Sequence, residues 1–228
     1  MSDKTAIIIG ASRGLGLGYA KELAGRGYKV IATERSESGD LHQAAETTGS
    51  QIEIVKCDVT GADSVAAIRD KCADGSIDLL VVNAGVYGGR KQGLTDLAHG
   101  NVADILHTNA TAPIQCALTL LPLLKRGGTI AMMSSKMGSI DDSSGGMNLY
   151  RISKVAQNML ARSLFENHAK DRGVGVISLH PGWVQTDMGG PDAPLDVDTS
   201  VTGMVDVLEA EREPRHVFLN YDGSSVPW

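Results

Sequence analysis

Tyr150 and Lys154 stand four residues apart in the run Tyr150-Arg151-Ile152-Ser153-Lys154. On a helix this spacing puts a phenol and an amine on one face. Reducing a carbonyl takes a hydride to carbon and a proton to oxygen, and a tuned phenol can supply the proton. A free tyrosine titrates near 10, so bringing it to about 7 needs roughly 4 kcal/mol in favour of the phenolate. An ammonium about 4–5 Å away, at an effective dielectric of ~20, supplies energy of that order. A positively charged oxidised nicotinamide would add to it. Lys154 is then the electrostatic tuner, and Tyr150 the acid in reduction or the base in oxidation. Alone, a Tyr-x-x-x-Lys pair is weak evidence and reads equally as an idle, exposed helical pair. Its position just after a serine-bearing loop gives it weight. Ser135, fifteen residues before Tyr150, is placed to hold a substrate oxygen by hydrogen bond. Ser134 and Ser139 remain alternatives, Ser134 being the one expected to be buried at a strand end.

A second cluster suits a phosphate. Gly10-Ala11-Ser12-Arg13-Gly14-Leu15-Gly16 follows an apolar run and opens a helical pattern. Glycine allows a tight turn and lets main-chain N–H groups approach a pyrophosphate, while the helix N-terminus supplies roughly half a positive charge. The spacing departs from GxGxxG, and three glycines in a glycine-rich chain are weak evidence by themselves. At the end of the next strand, Glu34 stands where a carboxylate would accept from an adenosine ribose and repel a 2′-phosphate. Arg35 stands where a guanidinium would clamp that phosphate, and Arg13 could reach it from the other side. A solvated charge pair is the plain alternative for Glu34 and Arg35. Two cations against one carboxylate tilt the choice between NAD and NADP toward NADP.

The elements that must position these groups follow from apolar patterning. Strands are expected at Thr5–Ile9, Lys29–Thr33, Ile52–Val55, Leu79–Val82, Thr129–Met133, Val174–Leu179 and His216–Leu219. Helices are expected at Leu15–Ala24 and Val65–Cys72, from about Asn101 to Arg126, from about Leu149 to Lys170, and near Ser200–Ala210. Short, continuously apolar strands separated by helices read as an α/β fold: a Rossmann-like, doubly wound parallel sheet covered on both faces. Its ligands would sit at the carboxyl ends of the strands, where the loops Ser135–Met147 and Pro181–Pro194 fall. The 228 residues suffice for one domain, 1–228, with 42% hydrophobic and 21% charged residues. The net charge of -6 argues against nucleic acid, and no apolar run is long enough to span a membrane. The polar start, Met1 to Thr5, leaves no room for a signal peptide. Cys57, Cys72 and Cys116 lack CxxC spacing and read as free thiols in a cytoplasmic protein. His42, His99, His107, His168, His180 and His216 are scattered, so no metal site is expected.

The GxxxGxG turn, Asn83-Ala84-Gly85, Ser134-Ser135, Tyr150-Arg151-Ile152-Ser153-Lys154 and Pro181-Gly182 with Thr186 fall in an order that resembles the short-chain dehydrogenase/reductase family. The likeness covers nearly the whole chain. Ser134–Lys154 and the ending Tyr221-Asp222-Gly223 to Trp228 look most like its C-factor and sniffer carbonyl-reductase branch. The resemblance implies an NAD(P)-dependent oxidoreductase interconverting a carbonyl and an alcohol. It implies that Asn109 completes the catalytic set by organising a water near the lysine, although Asn109 also reads as a helix-kink residue before Pro113. Asp58, followed by Val59, would accept from the adenine amino group, or cap a helix with Thr60. Asn83, Ala84 and Gly85 would pass the cofactor ribose closely, and Lys154 would bond the nicotinamide ribose. Thr186 would hold the carboxamide with backbone help from Val184, while Gly182, after Pro181, permits the turn beneath the ring. Relatives usually form homodimers or homotetramers through their long helices.

Substrate-facing candidates are Tyr87, Met137, Trp183 and Met188, although core packing is the commoner use of such residues. Asp141-Asp142 reads as a solvated turn, with Arg151 facing away from the site toward that loop. Two other functions compete. A methyltransferase using S-adenosylmethionine also has a glycine turn and an acid after its second strand, but would leave Tyr150 and Lys154 idle. A cofactor-binding signalling or redox-sensing protein with little catalysis is the other.

Overall fold

The computed structural model describes residues 4–89, 92–97, 102–211 and 213–228. Seven strands form one parallel sheet: β1 (Thr5–Ile9), β2 (Lys29–Glu34), β3 (Ile52–Lys56), β4 (Ile77–Val82), β5 (Leu124–Met133), β6 (Gly175–His180) and β7 (His216–Asn220). Their order is β3-β2-β1-β4-β5-β6-β7. The order reverses between β1 and β4, whose carboxyl ends lie side by side with Ile9 opposite Val82. Ligands of such sheets bind at that crevice.

Successive strand residues face opposite sides, so both must be apolar when both are covered. Ile8 packs with Tyr19, Leu23, Val201 and Met204 under α1 (Gly14–Gly25) and α7 (Val197–Ala210). Ile7 and Ile9 pack on the other face with Val65, Leu120 and Ala161, under α3 (Ala62–Arg69), α5 (Ala112–Leu120) and α6 (Asn148–Leu164). The strand expectations hold closely.

Two helical expectations are corrected. The stretch expected to be one helix up to Arg126 is α4 (Val102–Leu106), a wide π-type turn at His107–Thr111, and then α5. Asn101 lies outside the described residues, as do Met1 and His99. Pro113 lacks an N–H and sits in the first turn of α5, so the ladder there opens into the wide turn. Pro122 falls in a single tight turn, Leu121–Leu123, and β5 begins at Leu124. Leu124 pairs with Ile77 and Thr129 with Leu79, so the intervening residues bulge out of the sheet. The second correction is α2 (Gly39–Thr47), which the apolar pattern did not announce because only Leu41 and Ala44 are buried. It is fixed by its cap, the Ser38 hydroxyl accepting from the Leu41 N–H at 3.3 Å.

Candidate active site

The carboxyl ends of β1, β4, β5 and β6 open into a cleft of about 810 Å³. Its floor is the glycine turn. Gly10 has φ +87° and Gly14 φ +53°, conformations that side chains resist. A Cβ on Gly10 would lie 3.0 Å from the Ala84 backbone. Gly16 does not line the cleft, because its role is packing: a Cβ there would lie 2.0 Å from the Gly10 carbonyl oxygen. Asn83 locks the two strand ends together, its Nδ2 donating to that carbonyl at 2.8 Å.

Ser12, Arg13, Leu15 and Arg35 line one end of the cleft with Asp58 and Val59. Asp58 lies on the wall, and its Oδ1 accepts from the Thr60 N–H and hydroxyl at 2.9 and 2.7 Å; this bonds the turn before α3 rather than capping the helix, whose N-cap is Gly61. Arg13 forms an ion pair with Asp187 across the cleft mouth. Glu34 is not on this wall. Its carboxylate accepts from the Ser38 N–H at 2.8 Å and lies 3.0 Å from His42 Nε2.

Asn83, Ala84, Gly85, Tyr150, Lys154 and Pro181 continue the wall, with Thr186 and Met188 beyond them. Gly182 and Val184 stay off it. A Cβ on Gly182 would lie 2.4 Å from Leu195 Cδ1, so that glycine serves packing, and Val184 is buried in a bridge to Leu195. The Thr186 hydroxyl accepts from the Gly189 N–H at 3.1 Å, fixing its loop.

The three serines separate. Ser134 lies on the wall, but its hydroxyl donates to Asn158 Oδ1 at 2.7 Å. Ser139 is buried and its Oγ accepts from the Asp142 N–H at 3.0 Å. Ser135 is buried just off the wall and near enough to the Tyr150 hydroxyl to draw its pKa downward. Tyr87 stacks beside Tyr150 with ring centroids 5.6 Å apart. Trp183 is exposed and donates to Gly189, and the Met137 N–H donates to Ser135 Oγ. Arg151 turns to the preceding loop, as its helix position suggested, donating to the Gly146 carbonyl at 2.9 Å.

Tyr150 and Lys154 do share a face of α6, yet their electrostatics reverse the expectation. Burial pushes the Tyr150 phenol up to about 12, with Ser135 pulling the other way. Burial pushes the Lys154 ammonium down to about 7. Lys154 Nζ lies 5.7 Å from the Tyr150 ring centre and donates to the Met133 carbonyl at 2.7 Å and to Gln157 Oε1 at 3.1 Å. Each charged form alone costs more than the partner returns at this separation.

Asn109 is fully buried in the wide turn. Its amide accepts from the Val86 N–H at 2.7 Å and donates to the Val86 carbonyl at 2.8 Å and to Ser153 Oγ at 3.0 Å. It thereby ties the segment after β4 to α6. A Cβ on Gly85 would lie 3.3 Å from Asn109 Oδ1, so Asn109 would have to give by a few tenths of an ångström, and 3.8 Å from Lys154 Nζ, an ordinary contact.

Sequence reasoning missed three supports. Gln157 and Asn158 are buried three and four residues after Lys154, and that same-face spacing was a readable signal. Gln92 had none: its Oε1 accepts from the Tyr150 N–H at 2.8 Å and its carbonyl from the Asn148 N–H at 3.0 Å, capping α6.

Residues 4–194 match the short chain dehydrogenase family. The chain is a short-chain dehydrogenase. It is 40% identical over 167 residues to the C-signal protein of Myxococcus xanthus, covering 71% of this chain and 99% of that one. Among solved structures, a carbonyl reductase from Pseudomonas aeruginosa PAO1 in complex with NADP superposes with TM-score 0.90 at 37% identity, covering 100% of both chains. The carbonyl reductase Sniffer of D. melanogaster gives 0.88 at 33% identity, also covering 100% of both. As a member of the family this short-chain dehydrogenase is an oxidoreductase using NAD(P). The glycine cradle fits such a dinucleotide, since a side chain at Gly10 or Gly14 would be strained and the floor would close.

Proposed function

We propose that this short-chain dehydrogenase reduces a small carbonyl compound to its alcohol with NADPH, with Tyr150 donating the proton. The observation that carries this reading is Tyr150 and Lys154 together on the cleft wall, with Lys154 Nζ 5.7 Å from the Tyr150 ring centre and Ser135 beside the phenol. The dinucleotide, bound over Gly10–Gly16, supplies the hydride. Ser135 donates a hydrogen bond to the substrate oxygen, and Tyr150, protonated because its pKa is high, gives that oxygen its proton. Lys154 uses two of its N–H groups on Met133 and Gln157, which leaves one for the cleft. With a pKa near 7 it charges readily, and a charged Lys154 offsets the phenolate as that forms, so the two titrate as a pair. Asn109 completes the set by holding α6 and the post-β4 segment in place. Asp58 serves the adenine, and Thr186 the carboxamide.

NADPH is favoured over NADH because Arg35 faces the cleft while Glu34 does not. The solved NADP complex of the Pseudomonas reductase supports the same choice. Residues 1–228 act as one domain in the cytoplasm, where Cys57, Cys72 and Cys116 stay reduced. Exposed Ile152 and Met159 on α6 and Leu118 on α5 offer a face for a homodimer or homotetramer.

Tyr150→Phe tests the reading. It should lower kcat for NADPH oxidation over a carbonyl panel by about 10²–10⁴-fold, measured at 340 nm, with NADPH binding by fluorescence kept within a few-fold. Full turnover in that variant would remove Tyr150 from the chemistry. The C-signal likeness favours a second reading, signalling with little catalysis. A biological effect that survives Tyr150→Phe would select it.

A further inference from the structure

Glu34 ends β2 at the position where a carboxylate would select NAD, yet it is held against α2. Oε2 accepts from the Ser38 main-chain N–H at 2.8 Å, and Oε1 lies 3.0 Å from His42 Nε2. Ser38 caps α2 and His42 lies one turn further on, so a single short helix supplies both partners. That helix is also fastened to the phosphate turn, with Ser38 Oγ donating to the Ser12 carbonyl at 2.6 Å. Only 10% of the Glu34 side chain is exposed, against 45% for His42. Beside the pair is a second hollow of about 270 Å³ lined by Glu34, Arg35, Glu37, His42 and Lys56. Arg35 is common to this hollow and the main cleft.

We infer that His42 is a specificity-determining residue: by holding Glu34 against α2 it withdraws the NAD-selecting carboxylate and leaves Arg35 facing a 2′-phosphate. This deepens the NADPH reading above and rests on it. A carboxylate near a 2′-phosphate repels it, and one free to swing would accept from the two ribose hydroxyls of NADH. With both Glu34 oxygens bonded inside the β2–α2 connection, neither effect operates. Asp40 then remains as the α2 carboxylate on the cleft wall. The hydrogen bond to Glu34 favours the charged imidazole, raising the His42 pKa, with Glu37 and Glu46 adding to it. The hold is therefore strongest when His42 carries its proton.

The experiment is a fluorescence titration of wild type, His42→Leu, His42→Gln and the double variant His42→Leu/Glu34→Ala with NADPH and with NADH. His42→Leu should shift the ratio of the two Kd values toward NADH by about tenfold, the size of one charged hydrogen bond exchanged. His42→Gln keeps a donor and should hold the wild-type ratio. The double variant lacks the freed carboxylate and should return to a preference for NADPH. A ratio in His42→Leu within twofold of wild type overturns the inference. So does an equal shift in the double variant or in His42→Gln, because neither would run through a released Glu34. A wild type that binds NADH more tightly overturns the NADPH reading instead, and the shift between variants still judges His42.

Discussion

Lys154 and Tyr150 pull against burial in opposite directions, and that tension has a measurable cost. Lys154 titrates near 7 in the folded chain against 10.5 when unperturbed. Between those values the unfolded chain holds the extra proton, so this residue makes stability rise with pH and penalises folding most below about 7. Lys154→Met removes the penalty while filling much the same space. It should raise Tm at pH 7, on the order of a few kcal/mol in stability, and the gain should shrink toward pH 10. Activity should be lost in the same variant. Thermal melts across that pH range check it, and a variant less stable than wild type at pH 7 would mean the ammonium is well solvated by Met133 and Gln157. Tyr150 has the reverse sign: with a folded pKa raised to about 12, it adds stability that fades as pH rises from 10 to 12.

Glycine divides the first helix into a part that cannot change and a part that can. A Cβ on Gly16 would meet the Gly10 oxygen at 2.0 Å, whereas one on Gly25 meets nothing within 4 Å. Gly16→Ala should therefore push α1 off the β1 turn, losing stability and most dinucleotide affinity together. Gly25→Ala should stabilise by about 0.4–1 kcal/mol, chiefly by restricting the unfolded chain, with affinity unchanged. Denaturant melts paired with NADPH titration separate the two. The same scale explains what the amino-acid pattern hid. α2 buries too little for an apolar rhythm, and its existence depends on Ser38 as cap and on Glu34 as partner. The stretch before Arg126 has continuous helical composition, but Pro113 and Pro122 divide it, and pairing with β4 claims Leu124 for the sheet.

Across the whole molecule, Glu209 on α7 gathers the start of the chain. It accepts from Lys4 Nζ at 2.9 Å, Arg26 Nη1 at 2.8 Å and the Tyr28 hydroxyl at 2.9 Å. Burial alone would raise this carboxyl, but those three donors outweigh it and hold it at about 2. Its stabilising contribution is present above the unfolded value of about 4.5 and is lost as pH falls toward 2. Glu209→Gln should cost about 1–3 kcal/mol at pH 7 and make acid unfolding less steep between those limits. Equal acid midpoints in the two proteins would show that the cluster contributes nothing.

Apolar runs were enough to place the strands along the chain, because a strand buried on both faces must be apolar throughout. Residue types and spacing were enough, too, for the glycine turn between β1 and α1 and for the face that Tyr150 and Lys154 share, since a four-residue interval returns to the same side of any helix. Which serine faces Tyr150, where Glu34 turns and how Lys154 titrates were decided only on folding. Each depends on a partner on another element (Asn158 for Ser134, His42 for Glu34, the Met133 carbonyl for Lys154), and burial, which sets a charge's cost, exists only once the layers have closed.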